Sequence, residues 1–134
     1  MLKYLLDTNI IIYTMKRRPA KVQARFEKHD GQMAMSTVTF GELVFGCERS
    51  SNPKQNLLVL ESFASRVTVL DFDRESAAHF GELRASLYSK GTPIGPYDMM
   101  IAAQARARGL VLVTNNQKEF RRLPGVRLEN WVRG

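Results

Sequence analysis

Asp7, Glu42 and Asp98 each stand where a strand-like run gives way to a helical one or early in a helix. Asp7 ends the apolar run Leu2 to Leu6, broken by Lys3, and Thr8 and Asn9 follow before Ile10-Ile11-Ile12. Glu42 falls in the first turns of a helix that follows Met33-Ala34-Met35-Ser36, and Asp98 in the first turn of a helix that precedes Leu110 to Val113. Asn116 and Glu119 come just behind that last run. In an open α/β sheet, ligands bind at the edge formed by the carboxyl ends of the strands. A parallel sheet therefore gathers these oxygen-bearing side chains at one place. Several acids held together repel one another and stay ionised when cations are near. Hard oxygen donors without Cys or clustered His suit Mg²⁺, with Mn²⁺ as a substitute. Such an ion polarises a phosphodiester and generates hydroxide, and a second ion can stabilise the leaving oxygen.

Each residue also has an ordinary structural reading. An Asp between strand and helix is commonly an N-cap. Thr39-Phe40-Gly41-Glu42 matches a capping box. Asp98 in a first turn is favoured by the helix dipole, and Asn116 can cap the turn Gln117 to Phe120. These readings explain the residues singly and do not require them together.

The elements that must position the acids alternate. After the first strand, Ile10 to Met15 makes a short helix closed by Lys16-Arg17-Arg18, and Pro19 is placed as the first residue of the next. Val22, Phe26 and His29 line one side of that second helix, with Lys21, Arg25 and Lys28 facing out. Phe40, Leu43, Val44 and Cys47 define one buried helix face, with Ser36 or Thr37 as cap. Asn52-Pro53 opens another helix with a Leu57, Leu60, Ala64 stripe, and Val67 to Leu70 reads as a strand. Asp73 caps a long helix to Lys90, whose inner face is Ser76, Phe80, Leu83 and Leu87. The stiff loop Thr92-Pro93-Ile94-Gly95-Pro96 feeds a helix from Tyr97 to Arg108, and Val126 to Leu128 is a last short strand. Strands alternating with helices predict a parallel sheet covered on both faces.

The charge balance, twenty Lys and Arg against thirteen Asp and Glu, leaves +7 on a chain of ordinary domain size. That excess points to a polyanionic partner, or else to a solvated basic surface. Candidate phosphate-holding residues are Lys16, Arg17 and Arg18, Arg106 and Arg108, and Arg121 and Arg122. Cys47 is the sole cysteine, which excludes an internal disulfide and a cysteine zinc cluster and fits a reducing, cytoplasmic setting. No apolar run approaches a membrane span. His29 and His79 fall at ordinary helical positions and read as structural, so a metal-independent His pair for acid–base chemistry is not supported.

Leu-Leu-Asp-Thr-Asn at 5–9, Ser-Thr-Val-Thr-Phe-Gly-Glu-Leu at 36–43, Pro-Ile-Gly-Pro-Tyr-Asp at 93–98 and Val-Thr-Asn-Asn-Gln-Lys-Glu-Phe at 113–120 resemble the PIN-domain ribonucleases. The likeness is nearest to VapC, the toxin of bacterial type II toxin–antitoxin pairs, and it spans essentially the whole chain. It implies one α/β PIN domain over residues 1–134, with a central parallel sheet of about four or five strands and helices on both faces. It further implies metal-dependent RNA cleavage, a homodimer, a VapB-type antitoxin whose tail blocks the acidic pocket, and contact with operator DNA through that antitoxin. The family's metal-binding acids fall on Asp7, Glu42 and Asp98. Relatives sharing the Pro-Ile-Gly-Pro-Tyr-Asp loop cut initiator tRNA in the anticodon stem-loop, which makes tRNA the implied substrate. One departure is Asn116, where many PIN domains carry a fourth aspartate, and Glu119 is a candidate to replace it. An amide coordinates a cation without adding charge, so a one-metal site is expected in the free protein.

Residues and resemblance together predict that Asp7 and Asp98 hold the ion and that Glu42 binds it or orients the attacking water. Thr8, Asn9, Thr114 and Asn116 then hydrogen-bond the carboxylates or the scissile phosphate. Two other classes explain parts of the pattern. A haloacid-dehalogenase-like phosphatase also follows its first strand with an aspartate, but it wants a second one where this chain has Asn9. A non-catalytic RNA-binding module accounts for the charge but not for the gathered acids.

Overall fold

A computed structural model describes residues 1–91 and 94–133. Thr92 and Pro93, two of the five residues of the expected stiff loop, lie outside the described residues. The chain runs β1 (Tyr4–Leu6), α1 (Thr8–Lys16), α2 (Ala20–Lys28), β2 (Met33–Ser36), α3 (Thr37–Glu48), α4 (Pro53–Ala64), β3 (Thr68–Leu70), α5 (Arg74–Lys90), α6 (Pro96–Arg108), β4 (Val111–Val113), α7 (Gln117–Phe120) and β5 (Leu128–Glu129). Among the described residues the strands form one parallel sheet in the order β3-β2-β1-β4-β5.

Strand β1 is central and buried on both faces, which is why its sequence is a continuous apolar run rather than an alternating one. The period of two still sorts its side chains. Leu5, beside Ala34 of β2 and Leu112 of β4, joins the core under α5 and α6. Tyr4 and Leu6 join the core on the opposite face, with Ile10, Ile11, Val22, Phe26, Leu43, Leu60 and Trp131. From β1 the chain moves outward through β2 to β3, then returns by α5 and α6 to lay β4 on the other side of β1. This reversal between β1 and β4 is the topological switch point, where an α/β sheet opens a crevice at its carboxyl edge.

Several boundaries differ from the sequence expectation. Pro19 is the residue before α2 rather than its first, with extended backbone at ψ 162°. His29 caps the end of α2 and packs its ring 4.6 Å from Tyr4 and 5.5 Å from Trp131, so it is not mid-helix. Helix α3 begins at Thr37 under a Ser36 cap that accepts from the Val38 N–H, which removes the Thr39–Glu42 capping box because Thr39 is already inside the helix. The last strand starts later than expected, at Leu128, since its backbone meets β4 through Leu112↔Leu128 and Val113↔Glu129.

Helix α6 is the densest element, with Met99, Ile101, Ala102, Ala103, Gln104 and Ala105 buried. The Gln104 amide donates to the Leu70 and Asp71 carbonyls at 3.2 and 3.0 Å, tying α6 to the end of β3.

Candidate active site at the carboxyl edge of the sheet

Asp7 takes up both of the roles its position allows. Its backbone N–H donates to the Val113 carbonyl at 3.1 Å, which fixes it between β1 and β4. Its side chain caps α1, accepting from the Ile10 N–H at 2.9 Å. It is nevertheless buried, at 6% exposure, and burial pushes its pKa up to about 6. A Thr114 hydrogen bond and the Ile10 N–H oppose that rise, while Asp98 adds to it. An ordinary N-cap sits in solvent; this one is held in a low-dielectric crevice facing another acid.

Glu42 comes from α3 on the β2 side. The Thr8 hydroxyl, on the first residue of α1, donates to its Oε1 at 3.0 Å, with buried Thr39 beside it at 3.5 Å from Thr8. Partial burial raises the Glu42 pKa, the Thr8 bond lowers it, and the charge of Asp98 raises it. Asp98, in the first turn of α6, opens toward solvent, and its pKa is raised by desolvation and then by Glu119. Asp98 thus repels both Asp7 and Glu42 and is itself repelled by Glu119. Acids from β1, α3, α6 and α7 share one electrostatic field.

Thr114 closes the β4 side: its Oγ1 accepts from the Asn116 N–H at 3.0 Å, and its side chain bonds Asp7. Asn116 precedes α7, but its side chain makes no capping bond, so the cap reading does not hold and the amide is exposed at the rim. Glu119 is held by Arg122, Oε2 to Nη2 at 2.7 Å, and its charge still acts on Asp98. Asn9 is exposed at the start of α1. Tyr13 stands outside every quoted motif, yet the amide of Asn115, beside Asn116, donates to its hydroxyl at 3.2 Å.

The expected basic residues divide. Lys16 lines a groove of about 630 Å³ with Thr8, Glu42, Cys47, Asn56 and Leu60, leading away from the acids between α1, α3 and α4. Arg17 ends α1 in the left-handed region at φ 58° and lines a separate hollow with Arg66. Arg18 and Arg121 are exposed. Arg106 is a correction to the phosphate-holding set. Its guanidinium donates to His79 Nδ1 at 2.8 Å and the Pro124 carbonyl at 3.1 Å and pairs with Glu82, so it clamps α6 to α5 and the loop before β5. Arg108 faces Asp73 at 3.9 Å, and both arginines lie at the far end of α6 from Asp98, about 12 Å or more along the axis.

Among the described residues no group of three or more His, Cys, Asp or Glu side chains is close enough to enclose an ion by itself. The donor set still fits a hard divalent cation. Mg²⁺ is held through one or two carboxylates and keeps several waters, so a closed protein cage is not its requirement. Burial is the first cause that raises the pKa values of Asp7, Glu42 and Asp98, and a bound divalent cation would favour their charged forms.

The PIN domain family model matches residues 4–126. The chain is 52% identical over 131 residues to the tRNA(fMet)-specific endonuclease VapC of Shigella flexneri, covering 98% of this chain and 99% of that one. It is 50% identical to ribonuclease VapC of Haemophilus influenzae, covering 98% of this chain and 100% of the relative. Among solved structures, the DNA-bound VapBC complex from Salmonella typhimurium superposes with a TM-score of 0.94 at 51% identity, covering 98% and 99% of the two chains. The chain therefore belongs to the PIN-domain family and, within it, to the VapC ribonucleases.

Proposed function

We propose that the carboxyl edge built from Asp7, Glu42 and Asp98 is the catalytic centre of a Mg²⁺-dependent endoribonuclease toxin whose substrate is tRNA, initiator tRNA in the anticodon stem-loop above all. The observation that carries this reading is the placement of Asp98, which presses electrostatically on both Asp7 and Glu42 from a separate element. The relative named as a tRNA(fMet)-specific endonuclease, similar over nearly the full length, supports the choice of RNA.

Asp7 and Asp98 are the residues that hold the ion, with Glu42 binding it or orienting water. When bound, Mg²⁺ polarises the phosphodiester and favours hydroxide at neutral pH. The protein groups do the positioning. Thr8 holds the Glu42 carboxylate, and Thr114 holds that of Asp7. Exposed Asn9 and Asn116 at the rim donate amide hydrogens to a phosphate. In-line attack by water places the phosphate on the 5′ side and leaves a 3′-hydroxyl. Asn116 adds no charge and Glu119 is engaged by Arg122, which supports a single ion in the free protein.

The groove that runs from Glu42 past Lys16 to Leu60 is apolar for most of its length. We assign it to the tail of a VapB-type antitoxin, through which the complex reaches operator DNA; that the Salmonella typhimurium VapBC complex is DNA-bound supports this. Exposed Phe45 and Tyr97, 65% and 58% accessible beside Val38 and Met100, support a homodimer face next to the site. No helix among the described residues is long and apolar enough to cross a membrane, and the free thiol of Cys47 supports a reducing, cytoplasmic setting. The dehalogenase-like alternative loses its footing because Asn9 stands where a second aspartate is needed.

The test is cleavage of total tRNA by antitoxin-free protein with Mg²⁺, beside EDTA and Asp98→Ala controls. Discrete fragments that need both metal and Asp98, with ends mapping to one tRNA, are the expected result. Cleavage that survives both controls would remove the assignment.

A further inference from the structure

A second surface, away from the acids, carries a concentration of positive charge that the catalytic reading does not use. Lys21, Arg25 and Lys28 lie at i, i+4 and i+7 on the outer face of α2, and Arg133 joins them from the C-terminal segment around a hollow of about 400 Å³ floored by Ala24. Like charges at these spacings disfavour a helix. One of the four, Arg25, meets an acid, Glu129 at 3.1 Å. Lys21, Lys28 and Arg133 are exposed.

The position of this hollow is fixed by the fold. Beyond Lys28 the chain turns through His29, whose ring packs on Tyr4 and Trp131. The carbonyl of Gln32 then accepts from the Lys3 and Tyr4 N–H groups at 2.8 and 3.0 Å. The Lys28 end therefore sits at the amino end of β1, while Asp7 sits at its carboxyl end. From residue 3 to residue 7 along an extended strand is about 13 Å. The Lys28 end of the hollow thus lies on the edge of the sheet opposite the acids, while Arg25 reaches Glu129, which pairs with Val113 of β4.

We propose that the hollow carrying Lys21, Lys28 and Arg133, with Arg25 held by Glu129 between them, is a second docking site for the RNA backbone. It grips a part of a folded RNA remote from the scissile bond and so selects full-length tRNA over its isolated anticodon stem-loop. This rests on the ribonuclease reading of the acidic edge and adds to it the basis on which a large RNA is preferred. The chemistry is sequence-independent: lysine and arginine heads displace counterions from phosphates, so affinity follows the number of contacts and falls with salt.

The experiment compares wild type, Lys21→Glu/Lys28→Glu and the conservative Lys21→Arg/Lys28→Arg on full-length initiator tRNA and on its anticodon stem-loop, with Mg²⁺. The Glu variant should raise KM for the full-length tRNA by roughly tenfold with kcat unchanged, leave the stem-loop within about twofold, and the Arg variant should behave as wild type. Binding is measured alongside in an Asp98→Asn background, where the slope of log Kd against log salt for full-length tRNA should fall by about two. Unchanged KM and slope, equal losses on both RNAs, or loss of antitoxin affinity with RNA affinity intact would each overturn the proposal. If wild type cuts neither RNA, the reading of the acidic edge fails, and the hollow is judged on the binding difference alone.

Discussion

Asp7→Asn should abolish cleavage and at the same time make the metal-free protein more stable. The carboxyl of Asp7 has a pKa raised from 3.8 to about 6, chiefly by burial. A carboxyl that binds its proton more tightly folded than unfolded contributes stability below the unfolded pKa and loses it as pH rises through the folded one. Its contribution is therefore complete below about pH 4, declines between about 4 and 6, and is gone at neutral pH. About two pKa units at 1.36 kcal/mol each correspond to about 3 kcal/mol. Asn keeps the cap, since its Oδ1 can accept from the Ile10 N–H and Asn is as good an N-cap as Asp. It removes the buried charge and the repulsion from Asp98. At pH 7.5 in EDTA the variant should gain about 2–3 kcal/mol, or roughly 7–10 °C in Tm for a chain of this size. Thermal melts followed by circular dichroism from pH 4 to 8 would show the wild-type Tm falling across pH 4–6 relative to the variant, with the two meeting near pH 4. Added Mg²⁺ should raise the wild-type Tm and leave the variant nearly unmoved, because an ion that binds only the native state stabilises by mass action. A variant equal to or less stable than wild type at pH 7.5 in EDTA would refute the reasoning.

Thr8→Val, which removes the donor to Glu42 while keeping shape, should lower kcat by about tenfold or more with Tm changed by only a few degrees, read by single-turnover cleavage. Arg106→Ala should destabilise by about 1–3 kcal/mol, because His79, Glu82 and the Pro124 carbonyl all lose their partner, yet leave the salt dependence of RNA binding unchanged; a reduced salt slope would restore it as a phosphate contact. Phe45→Glu should yield a monomer in light scattering, and a persistent dimer would move that interface elsewhere.

The linear chain by itself determined the fold class and singled out Asp7, Glu42 and Asp98 as candidates. Apolar runs ending in polar residues, caps such as Asp73 and glycine stops at Gly91 and Gly109 are local signals, written within a few residues of where they act. The tertiary structure decided the rest. Taken singly, Asp7 reads in sequence as an N-cap; its raised pKa exists because the fold buries it, with the charge of Asp98 adding to the rise. Glu42 had a capping-box reading until α3 was seen to start at Thr37 and its partner proved to be Thr8, 34 residues away in sequence. The basic residues look alike along the chain, but Arg106 is consumed by a clamp, Lys16 faces the groove of the acids, and Lys21, Lys28 and Arg133 gather elsewhere. Charge, burial and hydrogen bonding between distant residues depend on distances that the crossovers of the sheet set. Local propensity is carried by neighbours in sequence, whereas the electrostatics of this site are carried by neighbours in space.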